Sequence, residues 1–378
     1  MTADEDLLCD PELAADYAGL VYVSDDAPGI TRVRRGKGWS FYLPGGRKIQ
    51  DARTLQRLKA LAVPPAYRGV WYCTDPLGHL QATGRDDAGR KQYRYHDRFR
   101  DVRDEAKFDH LLPFARRLPR LRRTCRRYLR EPGVGREKVL SAVVVLLEKG
   151  HLRVGNEAYA KRSGAHGATT LTNGEAEVIG GRVVFSFTAK GGQDREVDVR
   201  DAKLSEVVAA CQDLPGQDLF GYLDDAGQHH DVTSGDVNAF LGETAGLPIT
   251  AKTFRTWAAT VQCYNLLRAT KTAEMAEAGG RGPEASEHYR NRLVVQSVRR
   301  VAKKLGNTPT VCRKCYVHPA VPAAFIAGDA LEPGKLKAGD SKAQKRLLAS
   351  ERDCFGFLAG RPEQAKNTGI GQVTAGTR

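Results

Sequence analysis

Hydrophobic and polar positions change period along the chain. LVYVS at 20–24, ITRVRRG at 30–36 and WSFYLP at 39–44 are short, rich in β-branched and aromatic residues, and bounded by Gly and Pro, so they read as strands. Ala52–Leu61 (ARTLQRLKAL) instead repeats its apolar residues at helical spacing and is stopped by Val63-Pro64-Pro65. VWYCT at 70–74, HLQATG at 79–84 and RKQYRYH at 90–96 give three further strands, the last two joined through the turn Asp87-Ala88-Gly89. The pattern predicts a small sheet-plus-helix domain over 20–105.

From about 106 the period becomes helical. Leu111–Leu129 carries Arg116, Arg117, Arg120, Arg122, Arg123, Arg126 and Arg127, with Arg130 just beyond and no acid. Arg136–Lys149 places Val139, Val143, Leu146 and Leu147 on one side of a helix. TTL at 169–171, EAEVIGGRVVFSFTAKGG at 175–192 and REVDV at 195–199 read as strands linked by Gly-Gly turns. Helical character then runs from 201 to about 325, which makes 106–326 a larger, mainly helical domain. His229-His230 falls in a polar stretch that reads as a solvated loop. Residues 327–378 are Gly- and Lys-rich, with one helix over Lys342–Leu358 and a mobile end after Gly360. Residues 1–19 form an acidic leader, in which Asp10-Pro11-Glu12 suits a helix start.

Composition narrows the class. A chain of 378 residues with 41% apolar and 28% charged residues is globular, not disordered or fibrous. Its longest apolar run, Val139–Leu147, is too short for a membrane span and contains a serine. No basic segment followed by an apolar one opens the chain, and eight scattered cysteines fit no disulfide framework, so a reducing cytoplasm is expected. The formal charge is +14. Residues 1–26 hold eight acids and no Lys or Arg, so the rest of the chain carries +22, eight more than the whole. Such a surplus points to a polyanion, nucleic acid above all, although basicity for solubility alone is common.

Four segments carry candidate chemistry: Leu152-Arg153-Val154-Gly155-Asn156-Glu157, Phe187-Thr188-Ala189-Lys190-Gly191-Gly192, Lys252-Thr253-Phe254-Arg255-Thr256-Trp257, and Gly306-Asn307-Thr308-Pro309 with Tyr316 beyond. Each alone has an ordinary reading: a surface ion pair for Arg153, a solvated hairpin tip for Lys190, a helix cap for Arg255, a half-buried aromatic for Tyr316. Together they suit phosphodiester chemistry. Two guanidiniums can neutralise the non-bridging oxygens of a pentacoordinate phosphorane. A lysine can protonate a departing alkoxide, a tyrosine can serve as nucleophile and leaving group, and an Asn can donate one more hydrogen bond. Cys312 and Cys315 have CxxC spacing, but no second pair completes a zinc site, and no nucleotide-binding fingerprint is present. Neither metal nor cofactor is expected.

In these motifs, and in the run Gln81–Tyr95 (QATGRDDAGRKQYRY), the sequence resembles the poxvirus-like type IB DNA topoisomerases, specifically their bacterial branch. LRVGNEAY, FTAKGG, LDDAGQHHDVTSGDVNAFL, AKTFRTWAATV and LGNTPTVCRKCY agree with that family in order and spacing, over about 20–325. The resemblance implies an α+β protein in which a small β-rich N-terminal domain and a larger helical catalytic domain of the tyrosine recombinase/topoisomerase IB type clamp duplex DNA. It implies ATP-independent relaxation of supercoils by a monomer, near the nucleoid. Arg153 and Arg255 would bind the phosphate, Lys190 would protonate the 5′-oxygen with Arg153 assisting, and Tyr316 would form a 3′-phosphotyrosyl link. Asn307 falls where poxvirus enzymes use histidine, which keeps a donor and removes a titratable group. Lys252 and Tyr159 would touch DNA near the scissile phosphate, and Gln92, Tyr93 and Tyr95 would face the major groove. The arginine run at 116–130 reads as a phosphate-tracking helix. Two other readings stand beside this one: a tyrosine site-specific recombinase, whose usual histidine position is Lys252 here, and a non-catalytic basic DNA-binding protein on the same fold.

Overall fold

Residues 11–36, 38–277 and 286–361 are described by a computed structural model of the chain. The first ten residues of the acidic leader and the segment after Arg361, expected to be mobile, lie outside the described residues. Contacts divide the chain into two units, Met1–His110 and Leu111–Arg378.

The first unit opens with α1 (Pro11–Tyr17), starting where Pro11 fits a first helical turn. The hairpin β1 (Thr31–Arg35) and β2 (Gly38–Tyr42) follows, then α2 (Ala52–Ala60), whose N-cap Asp51 accepts from the Thr54 N–H at 2.7 Å. Next come β3 (Arg68–Tyr72), β4 (Leu80–Arg85) and β5 (Lys91–Tyr95), an antiparallel sheet in that order. Ile30, Phe41, Ile49, Leu58, Tyr72 and Ala82 form its core. The unit closes with α3 (Asp97–Asp109), so helix begins at 97 and not at 106. LVYVS is not a strand: Val21 makes a single bridge to Gly78, while Leu20 packs with Ala14, Ala15, Ala18 and Phe99.

The second unit begins with α4 (Leu111–Tyr128) and α5 (Arg136–Gly150). All nine residues from Val139 to Leu147 are buried, so α5 is a central helix rather than one with a single apolar side. After α6 (Glu157–Ser163), TTL forms a 3₁₀ turn, Ala168–Thr170, where a strand was expected. The strands β6 (Ala176–Ile179), β7 (Arg182–Ala189) and β8 (Gln193–Arg200) make an antiparallel sheet, with α7 (Ala202–Gln212) packed beside it. A small hairpin interrupts the helical region: β9 (Gly221–Leu223) pairs with β10 (His229–Asp231), so His229 and His230 lie on a strand and not in a loop.

The rest is helical: α8 (Ser234–Ala245), α9 (Ala251–Glu277), α10 (Glu287–Leu305), α11 (Pro309–Cys315) and α12 (Ala320–Ala327). The expected helix at 342–358 is two, α13 (Ala338–Gln344) and α14 (Ala349–Ala359), with Leu347 buried at the break. This segment is part of the core and not an appendage. Cys354, Phe355 and Phe357 are buried, and α14 packs on α9 and α4.

The same packing brings acids to the arginine run, which has none of its own. Arg122 is buried and pairs with Glu148 at 2.6 Å and Glu351 at 2.8 Å, and Arg116 pairs with Asp340 at 2.6 Å. The compensating acids come from α5, α13 and α14, which no local spacing reveals. Arg117, Arg120, Arg123, Arg126, Arg127 and Arg130 remain exposed. Among the described residues no helix is long and apolar enough to cross a membrane.

Candidate active site

The site is built around the end of α10. Gly306 takes a left-handed φ of 62°, which glycine adopts without penalty, and stops the helix. The Asn307 N–H then bonds back to the Ala302 carbonyl at 3.0 Å and the Gly306 N–H to Lys303 at 3.2 Å, a Schellman ending. Those bonds satisfy two terminal carbonyls and leave the next three, at Lys304, Leu305 and Gly306, to other donors.

Three arginines from three other elements supply them. Arg195 on β8 donates to Lys304 at 2.9 Å and to Leu305 at 3.4 Å. Arg255 on α9 donates to Leu305 at 2.8 Å. Arg153, in the loop after α5, donates to Gly306 at 2.9 Å and to the side-chain oxygen of Asn307 at 2.5 Å. The C-terminus of a helix carries roughly half a negative charge. That partial charge and the carbonyl oxygens offset the mutual repulsion of the guanidiniums.

Arg255 is only 2% exposed. Its second Nη bonds to the His151 carbonyl, and its Nε has no partner. Burial lowers its pKa to about 10; Tyr316 opposes that shift, and Arg153 and Arg195 add to it. The group still stays charged at neutral pH. Its guanidinium lies 5.2 Å from the Tyr316 ring centroid. Tyr316 is presented by α11, which starts at the N-cap Thr308 with Pro309 in its first turn. Its carbonyl accepts from Thr260 on α9 at 3.2 Å, which ties the tyrosine to the helix that carries Arg255. Asn307 has its oxygen on Arg153 and keeps its Nδ2 buried without a partner among the described residues.

The Arg153 loop is locked by close backbone packing. A Cβ at Gly167 would stand 2.7 Å from the Arg153 carbonyl and 2.6 Å from the Gly155 nitrogen, so only glycine fits there. Lys190 lies apart from this centre, exposed at the tip of the β7–β8 hairpin, with Nζ 5.9 Å from the Tyr159 ring centroid. Gly191 and Gly192 follow it at φ of 89° and 71°. Tyr159 sits in α6, whose N-cap Asn156 accepts its N–H at 2.9 Å. Lys252 is exposed in the first turn of α9.

Of the expected residues, the fold brings Arg153, Arg255, Asn307 and Tyr316 together, and pairs Lys190 with Tyr159. Gln92, Tyr93 and Tyr95 belong to the first unit, on β5. There Tyr93 and Tyr95 stack at 5.9 Å, and Gln92 donates to Asp86 at 2.9 Å. Two residues of the site were not singled out from the sequence. Arg195 is one of many arginines, and its role depends on a contact with residues about 110 positions further along the chain. His151 takes a left-handed φ of 53°, and its carbonyl holds Arg255. Burial, reinforced by Lys304, Arg255 and Arg195, lowers its pKa to about 4, so the ring is neutral at pH 7. Cys312, one turn before Tyr316, is fully buried, and burial raises its thiol pKa to about 11.

Two families match the chain. One described as the catalytic core of eukaryotic DNA topoisomerase I covers residues 96–325. One described as the N-terminal domain of bacterial DNA topoisomerase IB covers residues 38–86. The DNA topoisomerase 1B of Acanthamoeba polyphaga mimivirus is 27% identical over 293 residues, which span 76% of this chain and 85% of that protein.

Proposed function

Because this chain belongs to the eukaryotic-type DNA topoisomerase I family, whose members relax supercoiled DNA by breaking and resealing one strand, we propose that Tyr316 is its nucleophile and that Arg153, Arg255, Asn307 and Lys190 complete the site. The Tyr316 oxygen attacks the scissile phosphorus as the bond to the 5′-oxygen breaks. The 3′-phosphotyrosyl ester retains the energy of the diester, so religation by the 5′-hydroxyl needs no ATP. Between the two steps the cut strand swivels about the intact one, driven by torsion in the DNA.

The observation that carries this reading is Arg255 against Tyr316, with Arg153 seated on the same helix end. Negative charge grows on two phosphoryl oxygens in the transition state, and fixed guanidiniums stabilise it without reorganising. Among the described residues no acceptor meets the geometry of a hydrogen bond to Arg255 Nε or Asn307 Nδ2. Asn307 can donate but cannot exchange a proton, so its role is electrostatic. Lys190, on its two-glycine tip, swings to protonate the departing 5′-oxygen, with Arg153 assisting. Tyr159 and Lys252 contact DNA beside the cut, and Gln92, Tyr93 and Tyr95 read the major groove. The 20–105 domain and the 106–326 domain close around the duplex as a clamp, and the enzyme acts as a monomer in the bacterial cytoplasm.

The test is relaxation of a supercoiled plasmid in EDTA without ATP, with denaturant trapping of the covalent adduct. Wild-type protein is expected to relax the plasmid and leave protein on the 3′ end. Relaxation by Tyr316→Phe at the wild-type rate would remove Tyr316 from its role. A requirement for two specific sites would favour a recombinase.

A further inference from the structure

Resting on that reading, we infer that Arg195 is a positioning residue for Lys190: it anchors the β7–β8 hairpin to the end of α10 and so sets where the lysine can reach. Lys190 sits on a loop that the backbone itself leaves soft. The three residues between Ala189 and Gln193 include two glycines in the left-handed region, and one bond, Gly192 N–H to Ala189 at 3.1 Å, closes the turn. A flexible tip places a catalytic group well only if its base is fixed.

Arg195 is that fixation. It is the third residue of β8 and pairs in register with Phe187, three residues before Lys190. Its guanidinium leaves the sheet and bonds to the Lys304 and Leu305 carbonyls, sharing Leu305 with Arg255 and adjoining Gly306, which Arg153 uses. Its side chain packs on Gly306, where a Cβ would stand 3.3 Å from Nη1 and 3.4 Å from Cδ. The hairpin that carries the lysine and the helix end that orients both phosphate arginines are therefore one mechanical piece, joined through this side chain. Lysine could not replace it in full, because two carbonyls are met by two nitrogens of one planar fork.

The test separates action through Lys190 from a general effect. Single-turnover cleavage is measured on two duplexes, one with the ordinary 5′-oxygen at the cut and one with 5′-sulfur, a leaving group that needs no proton. Arg195→Ala is expected to slow the oxygen substrate about tenfold to a hundredfold and the sulfur substrate less than about threefold. Lys190→Ala/Arg195→Ala should be no slower than Lys190→Ala within about twofold, since a positioning residue has nothing left to position. If Arg195→Ala fails to fold, Arg195→Lys is read on the same pair, with a raised sulfur-to-oxygen rate ratio expected. Equal slowing of both substrates by the Arg195 variant, or multiplying losses in the double variant, would overturn the inference. Lys190→Ala alone tests the underlying reading: if sulfur fails to rescue it, the general-acid role of Lys190 fails, whatever Arg195 does.

Discussion

Arg255 holds its guanidinium 5.2 Å from the Tyr316 ring while its two outer nitrogens are bonded to the backbone carbonyls of His151 and Leu305. Its place is set by the fold before any DNA arrives. Two carbonyls on different elements need a planar fork, which lysine lacks. Arg255→Lys is therefore expected to lower the cleavage rate by about 10²–10³-fold, with noncovalent DNA affinity changed far less. Covalent-complex formation under single-turnover conditions measures it. Near-wild-type cleavage would show that charge alone suffices.

Asn307 spans the site: its oxygen accepts from Arg153 and its nitrogen has no partner. Asn307→Ala removes a donor and one restraint on Arg153, and should slow cleavage by about 10²-fold. Asn307→His should restore much of that rate and bring in a pH dependence near the ordinary histidine pKa of about 6.5. A rate profile of the two variants across pH 5–8 checks this, and a flat profile for the histidine variant would count against contact with the phosphate.

Glu351 holds two side chains at once. It accepts from Arg122 with both oxygens and from the Trp257 indole at 2.9 Å, and it is buried. Glu351→Ala would leave Arg122 with Glu148 alone and Trp257 unpartnered, so a loss of about 3–5 kcal/mol is expected. Denaturant unfolding reads it directly. A change under about 1 kcal/mol would mean that α14 adds little to the core.

Two half-buried histidines make stability pH-dependent in one direction. Burial lowers both His151 and His318 to about 4. Between pH 6.5 and 4 the unfolded chain binds these protons and the folded one does not, so folding weakens as pH falls through that window and is unaffected by these groups above it. Each contributes about 3 kcal/mol over the full range. His318→Gln should flatten the decline, measured as melting temperature against pH. An unchanged slope would show that His318 titrates normally in the folded state.

Arg120, Arg123, Arg127 and Arg130 are exposed and recur at helical spacing past Arg116, and none has an acidic partner among the described residues. If this stripe follows phosphates, each Arg→Gln change in a Tyr316→Phe background should reduce the slope of log affinity against log salt by about 0.9. Binding isotherms at several salt concentrations decide it. An unchanged slope would return the stripe to simple solvation.

Much of this protein is written locally. The strand patterns before residue 96, the helix stopped by Pro64-Pro65, the glycine hairpin bearing Lys190 and the charge surplus all depend on near neighbours, so they were readable from the chain alone. The boundaries that failed show the limit. The last helix breaks at the buried Leu347, and LVYVS stays outside the sheet, with Leu20 packed on α1 and α3.

The sequence by itself determined the elements, the motifs and the residue types needed for phosphodiester chemistry, because those follow from periodicity and chemical identity. Only the tertiary structure decided that Arg153, Arg195 and Arg255 meet on the carbonyls of one helix end, and that Asp340 and Glu351, which pair with Arg116 and Arg122, come from more than two hundred positions away. Like charges can be gathered only where something opposes their repulsion. That something is a set of backbone dipoles and distant carboxylates, which have no signature in the residues around each arginine.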